Sequence, residues 1–279
     1  MSKLLRAGLF SLVFFAVDWL SYIHPIEHLN ITPWNPPAAL EILFLYAAGF
    51  RWSLWVYATI CLSDLLVRDA VLISASVLLG NAVLVFCYAG MALAFRHLLT
   101  PSTLMTDRNQ LIKLGLTMVA GSALTAVAYV GFQTWIGGLH HYNTWEGLHR
   151  FFIGDLLGLF IVLPLVFILT DLRRRVQYQQ MFRSLQFWGL ILVLLACLGF
   201  VFAVPVDDQM KYFFSLFIVL SLLAATYSLP GATLASALIQ LPLVFASTQA
   251  GVTSEMLMDM QIVMLSLSLT VTSPFFTVS

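Results

Sequence analysis

Apolar stretches follow one another along this chain with little between them, at about 4–22, 36–50, 52–67, 70–97, 111–136, 147–170, 187–204, 211–229, 231–248 and 256–275. About 20 apolar residues in helical form cross the roughly 30 Å hydrocarbon layer of a bilayer. Soluble domains are roughly 45–50% apolar and about 25% charged. Here 61% of residues are hydrophobic, 9% are charged and the mean hydropathy is +0.94. The chain therefore reads as an all-α integral membrane protein, a polytopic bundle of eight to ten transmembrane helices. The stretches at 36–50 and 52–67 are short for full crossings, and a tight hairpin there gives the lower count. Residues 1–275 are expected to form a single transmembrane domain, with 276–279 a short tail and no room for a soluble domain of ordinary size.

Charge placement orients the ten-helix reading. With the N-terminus in the cytoplasm, the inside loops hold Lys3, Arg6, Arg51, Arg96, Arg108, Lys113, Arg173, Arg174, Arg175 and Arg183, against Arg68, Arg150 and Lys211 outside. An excess of Lys and Arg in short cytoplasmic loops is the general rule, so both termini are expected inside. Lys3 and Arg6 before the first apolar run look like a signal anchor, with no small-residue cleavage site after Trp19.

Within these stretches stand carboxylates that need an explanation. Asp155 lies in Phe151-Phe152-Ile153-Gly154-Asp155-Leu156-Leu157-Gly158, ahead of Pro164. An ionised Asp at the bilayer centre costs roughly 2.5–3.5 kcal/mol on insertion scales, so it normally faces protein or water and has a partner. Asp18, Glu41, Asp64 and, near a stretch end, Asp259 share the problem. Asp64 and Arg68 are four residues apart, the spacing of an intrahelical ion pair. Arg150 and Asp155 are five apart, which one helix does not pair well. Pro36-Pro37 reads as a helix start, with Asn35 as its N-cap and Glu41 soon after, favoured by the helix dipole.

Other chemistry is sparse. Cys61, Cys87 and Cys197 are isolated in apolar runs and form no metal or disulfide pattern, so buried inert thiols are expected. His140, His141 and His149, with Tyr142 and Trp145, read first as interfacial residues and secondarily as a pH-sensitive or ligand-facing cluster. No nucleophile, phosphate-loop or zinc-protease motif is present. No catalytic residue, cofactor, metal or nucleic-acid partner is expected.

Two blocks carry a family resemblance. Trp34-Asn35-Pro36-Pro37-Ala38-Ala39-Leu40 followed by Gly49-Phe50-Arg51-Trp52, and the later Gly154-Asp155 block with Gly158 and Pro164-Leu165, resemble the membrane-associated sensor domain of type one, the MASE family. Gln261 and the run after it resemble the last helix of that family. The resemblance implies a bacterial inner-membrane sensory module, multi-pass in the lipid bilayer. Its partner would be a cytoplasmic output domain, a histidine kinase or a cyclic-di-GMP enzyme such as a diguanylate cyclase, fused to the chain or supplied by another protein. It puts sensing candidates at Asp155, Gly154, Gly158, Pro164, Trp34, Asn35, Pro36, Pro37 and Arg51; the residues themselves add Glu41 and, secondarily, Asp64, His140, His141 and His149. The chain departs from the pattern after Leu269-Thr270, where no charged signalling helix or output domain is expected before Ser279. A homodimer is an open assembly. The rival class is a small-molecule secondary transporter with proton- or cation-coupled carboxylates, against which the lack of an internal repeat counts.

Overall fold

A computed structural model describes residues 2–22, 31–32, 34–68, 74–100, 104, 107–137, 144–249 and 254–272, and every described element is helical apart from turns. The helices are α1 (Lys3–Ser21), α2 (Pro36–Ala48), a 3-10 turn (Phe50–Trp52), α3 (Ser53–Val67), α4 (Ala75–Leu98), α5 (Arg108–Trp135), α6 (Thr144–Thr170), α7 (Leu172–Arg183), α8 (Leu185–Ala203), α9 (Val206–Phe213), α10 (Ser215–Gln249) and α11 (Ser254–Thr272). Among the described residues, seven helical stretches are long and apolar enough to cross a membrane, while Pro36–Ala48 is shorter. This is a polytopic all-α membrane protein.

Two helices are additions to the sequence reading, which had a loop at 171–186 and another at 205–210. α7 is polar, so a search for apolar runs passes over it, yet it has no Gly or Pro and is rich in Arg and Gln, which are good helix formers. α9 begins after Pro205 as its N-cap residue, and Lys211 Nζ bonds Asp208 Oδ1 at 2.6 Å one turn on. The two apolar stretches at 211–229 and 231–248 appear as one 35-residue α10 with a break at Ser228, where φ is 53° and ψ −147°.

The helices group into two compact units. The first comprises 1–101 and 113–159, and the second 102–112 and 160–279. In the first, α2 packs on α4 and α1, and α3 packs on α1 and α4. Side-chain bonds reinforce this, with Trp55 Nε1 donating to Ser11 Oγ at 3.0 Å and Phe10 stacked on Phe44 at 4.3 Å between centroids. In the second unit α10 packs against α8, α11 and α7. There Tyr178 and Thr233 share a 3.2 Å hydroxyl bond, and Ser184 and Tyr227 one of 2.8 Å. α7 and Ser184, the residue after it, are thus tied to α10 on the two sides of the Ser228 break.

The up-and-down order of the first unit has one consequence for function. α1, α3 and α5 end, and α2, α4 and α6 begin, at the same end of the bundle. Polar residues close to those helix ends are therefore brought together although they are far apart in sequence.

Candidate functional site

Asp155 is fully buried on α6 and is held by two other elements. Asn35 Nδ2 donates to Asp155 Oδ1 at 2.8 Å, and the Tyr88 hydroxyl of α4 donates to the same oxygen at 2.7 Å. Asn35 Nδ2 also lies 3.4 Å from the Tyr88 hydroxyl. Oδ2 of Asp155 has no protein hydrogen-bond partner. A carboxylate accepting from neutral donors is stabilised in place, but its charge is not balanced.

The backbone makes the same junction. The Asn35 N–H donates to the Gly154 carbonyl at 3.0 Å. A Cβ on Gly158 would come within 2.2 Å of the Asn35 carbonyl oxygen and 2.9 Å of the Pro36 nitrogen. The start of α2 therefore lies directly on α6, and only hydrogen fits at position 158. Asn35 does occupy the N-cap position of α2 with Pro behind it, but its side chain makes no capping bond. The expected cap is corrected: the amide that would close the helix end is turned to Asp155 instead. Pro36 and Pro37 tolerate this because prolines in the first turn have no N–H to be capped.

A second set of charges stands beside the first. Arg68 Nη2 bonds Asp18 Oδ1 at 2.6 Å, and its Nε lies 3.6 Å from Asp64 Oδ1. The expected Asp64–Arg68 pair is present, but the closer carboxylate comes from α1. Asp18 is buried, and Ser63 Oγ donates to its Oδ2 at 2.6 Å. Asn81 Nδ2 donates to Asp64 Oδ2 at 2.6 Å. The Tyr22 ring lies 5.4 Å from the Arg68 guanidinium carbon, a cation–π contact.

Both sets border a cavity of about 70 Å³. Asp18, Glu41, Asp64, Arg68, Asn81 and Gln133 supply its polar wall, and Asn35 and Tyr88 connect it to Asp155. Phe14, Tyr129 and Phe151 supply aromatic wall, with Tyr129 and Phe151 packed ring to ring at 5.1 Å. Glu41 is 4% exposed, and its Oε2 has no protein hydrogen-bond partner.

The structure brings some sequence candidates together and leaves others apart. Asn35, Pro37, Glu41 and Asp64 line the cavity, and Asp155, Gly154 and Gly158 form the junction beside it. Trp34 is buried, with Thr32 Oγ1 donating to its carbonyl at 2.9 Å, but it does not line the cavity. Pro164 lies further along α6, inside the second unit, where it removes the helix bond to the Phe160 carbonyl. Arg51 is exposed in the 3-10 turn beyond the far end of α2. At that end Arg96, not Arg51, closes the helix by donating to the Tyr46 carbonyl at 2.7 and 2.5 Å.

His149 folds back on its own helix, with Nδ1 3.1 Å from the Trp145 carbonyl and its ring edge-on to that indole. His140 and His141 lie outside the described residues. Arg150 pairs with Glu146 at 2.7 Å and not with Asp155, as the spacing indicated. Asp259 is exposed. Of the thiols, only Cys61 is fully buried, while Cys87 and Cys197 are half-buried. Among the described residues no group of three or more His, Cys, Asp or Glu is placed to hold a metal ion.

Sequence reasoning passed over Asn81, Gln133 and Tyr88. The first two carried a usable signal, since a carboxamide inside an apolar run needs a partner as a carboxylate does. Tyr88 carried none, because tyrosine is common in such runs.

An apolar helical bundle with buried carboxylates beside a small polar cavity defines a polytopic integral membrane protein. The MASE1 family model matches residues 4–278, so the chain belongs to the MASE1 family, a membrane sensory domain. No curated protein and no solved structure is significantly similar to it.

Proposed function

We propose that this chain is the sensory part of an inner-membrane signalling system, in which the junction of Asn35, Tyr88 and Asp155 and the cavity beside it form the perception site. The observation that carries the reading is the clasp of Asn35 on Asp155, made by side chain and backbone together. A stimulus entering the cavity changes the relation of the α2 start to α6. Such a change signals only where two packings differ by a few kcal/mol and the stimulus prefers one.

In this reading the cavity end of the bundle faces outward. The support is the charge bias of the loops, since Arg51, Arg96 and the Arg173-Arg174-Arg175 run fall at positions expected on the opposite side. Two of the three cations assigned outside are also now accounted for by ion pairs, Arg68 with Asp18 and Arg150 with Glu146. The change passes along α6 and on to α11, and from there to a cytoplasmic output domain, a histidine kinase or diguanylate cyclase, on this or another chain.

The test joins residues 1–272 to a kinase or cyclase reporter and compares wild type with Asp155→Asn. The variant should insert at wild-type level while the output becomes fixed or blunted. A normal response in the variant would remove Asp155 from the signalling path. Proton-driven solute uptake into proteoliposomes would instead favour a permease.

A further inference from the structure

Four ionisable side chains border the cavity, three carboxyl groups and one guanidinium. Asp18 and Asp64 share the Arg68 guanidinium, and both are further bonded, by Ser63 and Asn81. Glu41, from α2, stands across the cavity wall with an oxygen that no protein donor reaches, although 96% of the residue is buried. A buried charge without a counter-charge is unfavourable by far more than a surface one. The cavity thus presents three carboxyl groups to one guanidinium, and the third, Glu41, has an oxygen that no protein donor reaches.

The remaining walls narrow what can neutralise it. A hard metal ion needs about six or more oxygens around it, and no such group is assembled among the described residues. Phe14, Tyr88, Tyr129 and Phe151 are instead among the residues that line the space, and aromatic rings attract desolvated organic cations. A volume of about 70 Å³ admits a ligand of only a few heavy atoms. Building on the sensory reading, the geometry points to a small organic cation of the alkylammonium class as the ligand of this cavity, with Glu41 as its counter-ion and the aromatic rings as its walls.

The experiment measures thermal unfolding of the purified protein in lipid nanodiscs at fixed pH and ionic strength. The probes are methylammonium, ethylammonium, sodium, ethanol and the bulky tetrabutylammonium. A ligand that binds only the folded state raises the unfolding temperature in a saturable way. Methylammonium and ethylammonium should do so for wild type, while sodium, neutral ethanol and tetrabutylammonium should not. Glu41→Gln, which removes the unpartnered carboxyl group and is expected to fold, should weaken the ammonium response by at least about tenfold, and Glu41→Asp should retain part of it. No stabilisation of wild type by either small ammonium overturns the proposal, as does an equal response in Glu41→Gln. Stabilisation by sodium or tetrabutylammonium as strong as by methylammonium also overturns it, and that comparison needs no variant. Binding is read without any output domain. A failed ammonium response therefore leaves the Asp155 reporter result standing, and a flat reporter leaves the binding result standing.

Discussion

Asn35 and Asp155, 120 residues apart, are joined through the Asn35 amide while the Asn35 backbone N–H holds the carbonyl of Gly154 one residue earlier. One residue at the start of α2 thus spends both its side-chain and main-chain donors on α6. The helix start is positioned by tertiary bonds where a local cap would ordinarily do the work.

Removing the hydrogen-bond donors should expose that dependence. Tyr88→Phe takes away one of the two donors to Asp155 Oδ1 and leaves shape unchanged. Bonds to a charged acceptor contribute roughly 1.5–3 kcal/mol, so the variant should unfold at a lower temperature in nanodiscs. An unchanged melting temperature would mean that Asn35 alone suffices.

The close approach at Gly158 makes a steric prediction. Gly158→Ala places a methyl group against the Asn35 carbonyl, where backbone rather than a flexible side chain would have to move. Overpacking of this kind costs roughly 1–3 kcal/mol. The variant should be destabilised by that order in a denaturation series, and the signalling reporter should shift even without stimulus because the α2 start is displaced.

The junction shows which parts of the site a sequence can disclose. Asp155 stood out by its unfavourable setting, and Gly158 and Pro36-Pro37 by residue type, since each has a backbone meaning that is independent of the fold. That Asn35 faces Asp155 rather than its own helix was not legible, because capping is the local default and the competing acceptor lies on another helix. Arg68 illustrates the same limit. Its spacing from Asp64 was readable, whereas its shorter bond to Asp18 depends on α1 and α3 being neighbours. Of the fold, the apolar helices were legible from hydropathy, and α7 and α9 were not, being polar and short.

Arg68 also allows an electrostatic test. Arg68→Met leaves Asp18 and Asp64 buried without their cation, and breaking a buried pair from one side costs roughly 3–5 kcal/mol. The triple variant Asp18→Asn, Asp64→Asn, Arg68→Met should recover much of that loss, since none of these three positions then carries a buried charge. Comparing the two by thermal unfolding checks the assignment, and equal instability of both would contradict it.

Ser228 holds a backbone conformation, φ 53° with ψ −147°, that side-chain-bearing residues seldom adopt. Such strain costs on the order of 1–3 kcal/mol and glycine largely escapes it. Ser228→Gly should therefore raise the unfolding temperature, whereas Ser228→Val should lower it.

The break at Ser228 also divides a helix that would otherwise be unusually long. At 1.5 Å per residue a straight helix of 35 residues would be roughly 52 Å long, against a hydrocarbon layer of roughly 30 Å. Such a rod would need a steep tilt or a locally thickened bilayer. Divided at Ser228, neither portion approaches that length: the part from Leu229 to Gln249 measures roughly 31 Å and the part before the break roughly 20 Å, so each can take its own direction.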